Sequence, residues 1–333
     1  NKREKQLLPD LQLISDESIK PSWKDSIYRQ REELARMLRE PLALLAEKCA
    51  PEWGDRDGLN AVLLEGFSSI PYCTYLYVVG TDGVQISDQV SDSGLTIEHY
   101  HLNRSERPYM KETMPAWGFL LSDAYVSLNA YRPSLTALQV VVSGAGPIGQ
   151  LGAEFDLRGL PVISALYQEP HDWRQVKGDP AIRGTLFQQT RVESPMDRNM
   201  QNALSILEEL LTERGVFQCQ IHFSSSQATI WTIDDPLRYR ILDQEVLMDP
   251  DICLLYPSRP YPEEARIPRA EIIRILDAMQ GLRNVDSNIY LRTASVNIFN
   301  GIVSLTFSCD GSHYMHSDEF LAKGATFWSG VAE

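Results

Sequence analysis

Apolar residues recur at helical spacing early in the chain. Ile27, Leu34, Leu38, Leu42 and Leu45 fall on one face of a 3.6-residue period, which predicts an amphipathic helix. Ser22, followed three residues later by Asp25, supplies a capping-box-like start. Pro41 interrupts the stripe, and its missing N–H predicts either a kink or two abutting helices. From residue 74 to 156 the pattern becomes that of strands. Residues 75–79 are aromatic and β-branched, Asp82-Gly83 marks a turn before 84–87, and a longer strand over 135–143 is followed by a return over 150–155. Asp156 is placed to cap a short closing helix over 162–167.

Residues 168–196 are rich in proline, glycine and charge, with a single short apolar element near Leu186 and Phe187, and read as a linker. A helix over 198–214 follows, closed by Gly215. Phe217, Cys219, Ile221 and Phe223 then alternate with Gln218, Gln220 and His222, the signature of a half-buried strand. Ser224-Ser225-Ser226 turns into a second strand over 227–233, and residues 268–279 are amphipathic with Gly281 behind them. Val303, Leu305, Phe307 and Cys309 line one face of a late strand, which points Cys309 into the core. Hairpins outnumber helices, so the expected class is α+β with mostly antiparallel sheets. The expected division is a first domain over 1–167, a linker over 168–196, and a second α+β domain over 197–333.

A length of 333 residues suits two ordinary cores, and 43% apolar with 23% charged residues is the profile of a globular protein. The net charge of −14 argues against nucleic acid as a partner, because an acidic surface is repelled by phosphate. Against that background Arg104, Arg107 and Lys111 stand out as a local basic cluster. Five widely spaced cysteines without a CxxC pair read as reduced thiols. No apolar run approaches membrane-span length, and residues 1–6 are charged with no apolar stretch behind them. A cytoplasmic location is therefore expected.

The candidate chemistry lies in the first half. Asn103-Arg104-Ser105-Glu106-Arg107-Pro108-Tyr109 is followed about a dozen residues later by Leu121-Ser122-Asp123-Ala124-Tyr125-Val126-Ser127. A Gly-rich turn and Gly152-Ala153-Glu154-Phe155-Asp156-Leu157 come after it. An arginine fork suits a carboxylate, and tyrosines offer hydroxyl donors and flat apolar walls. This order resembles the Cache family of PAS-like sensor domains, over about residues 20–167. The resemblance implies a long leading helix, an antiparallel sheet and a small-molecule site. In amino-acid-binding Cache domains the contacts fall on an Arg-Trp-Tyr triplet, a Tyr-x-Asp and a distal Asp. Here Arg107 and Tyr109 match the triplet with Pro108 in place of tryptophan, Tyr125 matches with Ser127 in place of the acid, and Asp156 matches the last position. The ligand-binding residues expected from this are Arg107, Tyr109, Tyr125, Ser127 and Asp156, with Asp156 orienting Arg107 or a ligand donor. With one carboxylate missing, a small organic anion or carboxylate fits better than an α-amino acid. The leading helix often carries a dimer contact in that family, which makes a homodimer the expectation. The same stripe also fits a helix that only covers its own sheet.

Other motifs carry less. Gly144-Ala145-Gly146-Pro147-Ile148-Gly149 matches a dinucleotide fingerprint, but Pro147 and Gly152 oppose the helix that must follow, so a hairpin turn is expected and no cofactor. His99 and His101 share a face if their segment is extended. Cys309, His313 and His316 with Asp310 and Asp318 lack diagnostic metal spacing. Asp234-Asp235 and Glu263-Glu264 read as solvated turns, and no nucleophile elbow, P-loop or metalloprotease motif occurs. The expectation is a small-molecule-sensing signal-transduction protein with an unidentified downstream protein partner, and not an enzyme. The alternative is an interaction protein with a degenerate pocket, suggested by Pro108 and Ser127. The second domain is open to a further PAS-like fold.

Overall fold

The computed structural model describes residues 22–127, 131–163, 191–223, 227–232, 239–242, 244–309 and 311–329. The leading helix α1 runs over Trp23–Cys49 and begins with the expected capping box: the Asp25 N–H donates to Ser22 Oγ at 3.2 Å, and the Ser22 N–H donates to Asp25 Oδ2 at 2.8 Å. The helix passes through Pro41 without ending, so the two-helix alternative does not occur. Its buried stripe is the one read from spacing, with Leu34, Leu38, Leu42 and Leu45 essentially inaccessible. A second helix, α2 (Arg56–Gly66), packs beside it.

Seven strands follow: β1 (Tyr75–Gly80), β2 (Gln89–Ser91), β3 (Gly94–Thr96), β4 (Phe119–Leu121), β5 (Tyr125–Val126), β6 (Pro133–Ser143) and β7 (Gly146–Asp156). They pair antiparallel in the order β3-β2-β1-β7-β6-β4, with β5 also on β6. The Gly-rich segment is the β6–β7 hairpin, as expected, and Gly146 takes a φ of 120° there. The expected strand over 84–87 is not one. Gln85 and Val84 make only isolated bridges, and β2 pairs with β1 instead, because the Ser87 hydroxyl takes the Val78 N–H at 2.9 Å. The short helix α3 (Pro108–Lys111) sits between β3 and β4.

Alternation along the strands sorts the two faces of this sheet. Leu76, Val78, Leu135, Ala137, Leu151, Ala153 and Phe155 join the core with the α1 stripe. Tyr75, Tyr77, Ser134, Thr136, Glu154 and Asp156 occupy the alternate positions, in register as Tyr75 opposite Glu154, Thr136 opposite Glu154 and Ser134 opposite Asp156. The first half thus places its apolar layer under α1 and a polar layer on the other face.

Asp156 caps a 3-10 turn over Leu157–Gly159 rather than a longer helix. Residues 162 and 163 are not helical, and residues 164–190, with the rest of the segment expected to be that helix, most of the linker and the Leu186–Phe187 segment, lie outside the described residues, as do Ser224-Ser225-Ser226, Asp234, Asp235 and Asp310. The second half opens with a short helix α4 (Pro195–Arg198), in what reads as the end of the linker, and then the expected helix as α5 (Met200–Glu213); the two are separated at Asn199, whose φ and ψ of −112° and 12° leave the helical region. Gly215, just beyond α5, takes a left-handed φ of 74° as its closing role requires. Then come β8 (Val216–His222), β9 (Gln227–Thr232), β10 (Tyr239–Leu242), α6 (Gln244–Leu247), α7 (Ile272–Asn284), β11 (Leu291–Asn297), β12 (Ile302–Phe307), β13 (Ser312–His316) and α8 (Ser317–Ser329). The strands form a second antiparallel sheet in the order β10-β9-β8-β11-β12-β13.

Three local expectations are corrected here. A register shift between Val216 and Gln218 turns Phe217 out of the buried row, onto the Phe299 ring at 5.7 Å. Gly281 lies inside α7, which continues to Asn284. Cys309 is exposed, because β12 ends at Phe307 and the chain has already turned.

The apolar core continues from the first half into the second. Arg31 of α1 reaches Asp251 at 3.0 Å, in a 3-10 turn over Pro250–Leu255, and Asp123 at 2.5 Å, while the Ala124 N–H donates to Asp251 at 3.2 Å.

Candidate ligand-binding cavity

The polar face of the first sheet, closed over by α3 and the segments around it, encloses a cavity of about 210 Å³. Arg107, Tyr109, Tyr125, Ser127 and Asp156 all line it, brought together from α3, β5 and the end of β7. Thr74, Tyr75, Gln89, His99, Arg104, Arg132, Ser134, Glu154 and Arg158 complete most of the wall. Four arginines therefore meet two carboxylates.

Arg104 is the structural centre of this wall. It is 4% exposed, and its guanidinium donates to Gln85 Oε1 at 2.7 Å, Gln89 Oε1 at 3.1 Å and the Tyr109 hydroxyl at 3.1 Å. It also lies 3.8 Å from the centre of the Tyr77 ring, a cation–π stack in a desolvated setting. All of these partners are neutral, so a buried cation is held by dipoles and a ring face rather than by a counter-ion. Tyr77 is fully buried, and its hydroxyl has no hydrogen-bond partner among the described residues. The ring lies on Gly152 of β7, where a Cβ would come within 2.4 Å of it.

Arg107 precedes α3 as its N-cap residue and is half-buried. Neither Arg104 nor Arg107 has a carboxylate within ion-pair distance among the described residues: Glu106 is taken by Lys111 at 2.7 Å and Asp123 by Arg31. The basic cluster seen in the sequence is thereby split, with Lys111 drawn to the surface. Tyr109 and Tyr125 pack with ring centres 5.5 Å apart. The Tyr125 hydroxyl shares a 2.8 Å hydrogen bond with Thr136 Oγ1, and burial pushes its phenol well up, which keeps it neutral.

Asp156 does not orient Arg107. Its carboxylate is clamped by Arg158, with Nε on Oδ1 at 2.7 Å and Nη2 on Oδ2, and it also accepts the Arg158 N–H at 3.0 Å. The short spacing on one turn gives Arg158 first access. Glu154, two residues earlier on the same face, is the other acid of the cavity. Burial pushes its carboxyl up while Arg104 and Arg107 hold it down, and burial prevails. His99 is lowered by burial and then by Arg104, consistent with a cationic surrounding. It sits in a 3-10 turn, whereas His101 takes a φ of 63°, so the two histidines do not form the shared face of an extended segment.

Among the described residues no cluster of three metal-ligating side chains occurs, and no helix is long and apolar enough to cross a membrane. Arg132, Glu154 and Arg158 escape motif reading, although Glu154-x-Asp156 at the end of β7 is itself an alternation that marks one face.

No protein-family model and no curated protein sequence matches the chain. Among solved structures, the sensory domain of the Campylobacter jejuni chemoreceptor Tlp3 with isoleucine bound is 13% identical over 40% of this chain and 61% of that one, with a TM-score of 0.29. The ligand-binding domain of the Pseudomonas fluorescens chemoreceptor CtaA with L-isoleucine is 12% identical over 40% and 53%, with a TM-score of 0.31. The ligand-binding domain of the Pseudomonas aeruginosa amino acid chemoreceptor PctB with L-arginine is 19% identical over 40% and 54%, with a TM-score of 0.30. The match spans less than two-thirds of each of these chains. The first half of the chain is an α+β unit with a long helix across one face of an antiparallel sheet and a polar cavity on the other, the arrangement that the resemblance noted in the sequence leads one to expect.

Proposed function

We propose that the chain is a small-molecule-sensing signal-transduction protein whose first-half cavity takes a small organic anion, with a carboxylate as the preferred group. The observation that carries this reading is the charge of the wall: Arg104 and Arg107 face the same small cavity without an ion-paired carboxylate among the described residues. Guanidinium groups that line a cavity without a direct ion pair favour an anion that adds negative charge and accepts charge-assisted hydrogen bonds. Arg107 clamps the carboxylate, Tyr109 and Tyr125 wall it, and Ser127 offers a hydroxyl. Asp156 acts indirectly by holding Arg158 in place. An ammonium group finds poor support, because Ser127 replaces one acid, Asp156 is occupied by Arg158, and Glu154 shares its surroundings with Arg104 and Arg107.

Binding shifts an equilibrium only through different affinities for two arrangements of the protein, and the output passes to a protein partner that binds this chain. Replacing Arg107 with alanine tests the assignment. The loss of a charge-assisted hydrogen bond is worth about 1.5–3 kcal/mol, so calorimetric titration with the best carboxylate is expected to show a dissociation constant raised roughly ten- to a hundredfold. An unchanged constant removes Arg107 from the site.

A further inference from the structure

Two arginines of the cavity are shared with the second half of the chain. Arg132 lines the cavity, and its Nη2 lies 3.0 Å from Oε1 of Glu208 in α5. Arg158 lines it too, and besides Asp156 it reaches Glu209 Oε2 at 3.9 Å and Glu213 Oε1 at 3.7 Å. All three glutamates project from the same helix. Next to them, Arg214 bonds Glu209 at 3.2 Å and also donates to the Leu157 carbonyl, directly beyond β7. The end of β7 and the floor of the cavity are therefore held to α5 by ionic contacts.

These contacts are incompletely satisfied. Glu209 Oε2 and Arg132 Nη1 are both buried without a hydrogen-bond partner among the described residues. Burial raises the carboxyls of Glu208 and Glu209 against the pull of the arginines, so each gains only part of the compensation a buried charge needs.

We infer that α5 is the internal counter-ion of the cavity: Glu208 and Glu209 draw, through Arg132 and Arg158, on the same positive charge that an anionic ligand uses. Ligand binding and the α5 contact then oppose each other. An anion entering the cavity brings negative charge close to poorly compensated carboxylates and competes for the donors that hold them, which loosens α5. By linkage, weakening the α5 contact tightens the ligand by the same factor. This gives the sensor a route from the cavity to the second half that does not involve α1, and it rests on the reading of the cavity as an anion site.

The test uses the whole chain with succinate and acetate as probes, at fixed ionic strength. Glu208→Gln removes the competing charge while keeping the shape of the side chain, and it is expected to bind the better probe about fivefold or more tightly than wild type. In wild type alone, saturating probe is expected to speed amide hydrogen exchange in α5 while leaving α2 unchanged or slower. The exchange experiment decides the matter even if the variant does not fold. An affinity in Glu208→Gln equal to or weaker than wild type, with α5 exchange unmoved by a probe that binds, overturns the coupling and leaves the anion site standing. Failure of either probe and of every other small carboxylate to bind any form overturns both.

Discussion

Asp251 gives a pH dependence whose sign and size follow from its surroundings. Its carboxylate lies between α1 and the β4–β5 loop, facing Arg31 at 3.0 Å and the Ala124 N–H at 3.2 Å, with Asp123 and Asp249 also nearby. Burial raises it from 3.8 to about 6, and the two neighbouring acids add to the rise against the pull of Arg31. Between these values the folded chain holds a proton that the unfolded chain releases, so this group makes stability fall as pH rises through that window. A difference of about two pH units at 1.36 kcal/mol each corresponds to roughly 3 kcal/mol. Asp251→Asn keeps an oxygen for the Ala124 N–H and leaves Arg31 its contact with Asp123, but it cannot titrate. In urea unfolding followed by tryptophan fluorescence, the stability of wild type relative to Asp251→Asn is expected to rise by about 3 kcal/mol as pH falls from 8 to 3, most of it between 6 and 4. Taking the difference cancels the slopes of the other carboxylates. Parallel curves for the two proteins, or a difference that runs the other way, would refute the argument that burial outweighs Arg31.

Further outcomes follow from packing. Gly152→Ala places a Cβ 2.4 Å from the Tyr77 ring, and overpacking of this kind is expected to cost about 1–3 kcal/mol in urea unfolding; a neutral effect would mean that the ring is free to move. Arg283→Ala leaves Asp197, with its side chain 2% exposed, without the 2.6 and 2.9 Å hydrogen bonds that hold it, at an expected cost of about 3–5 kcal/mol in the same assay. Ser22→Ala removes one arm of the α1 capping box and is expected to lower stability by about 1 kcal/mol, with faster amide exchange confined to the first turn of α1.

Much of the fold was legible because it depends on local periodicity. The α1 stripe, the β6–β7 hairpin and the closing glycine after α5 are each set by a few residues whose spacing or φ requirement admits few structures. What was missed depends on contacts distant in sequence or on a single local competitor. Residues 84–87 read as a strand by composition, yet the Ser87 side chain supplies the hydrogen bond that a strand partner would have made. The short helix α4 was missed because its proline-bearing segment reads as linker, although Ser194 and Asp197 form a capping box at its start. At the cavity, the five residues found by motif do line one wall, but their charge balance was invisible. The pairing of Asp156 with Arg158, of Asp123 with Arg31 and of Arg132 with Glu208 is decided by tertiary geometry, and it determines which arginines remain for a ligand.

The central claim is that the cavity selects an anion. A thermal-shift series of the purified chain against small carboxylates, amino acids and amines tests it most directly, since a ligand at a hundred times its dissociation constant stabilises the folded state by about 2.7 kcal/mol. The account predicts that one or more carboxylates raise the melting temperature, that amines do not, and that the rise disappears in Arg107→Ala. Stabilisation by amines, or no stabilisation by any carboxylate while the protein remains folded, would contradict it.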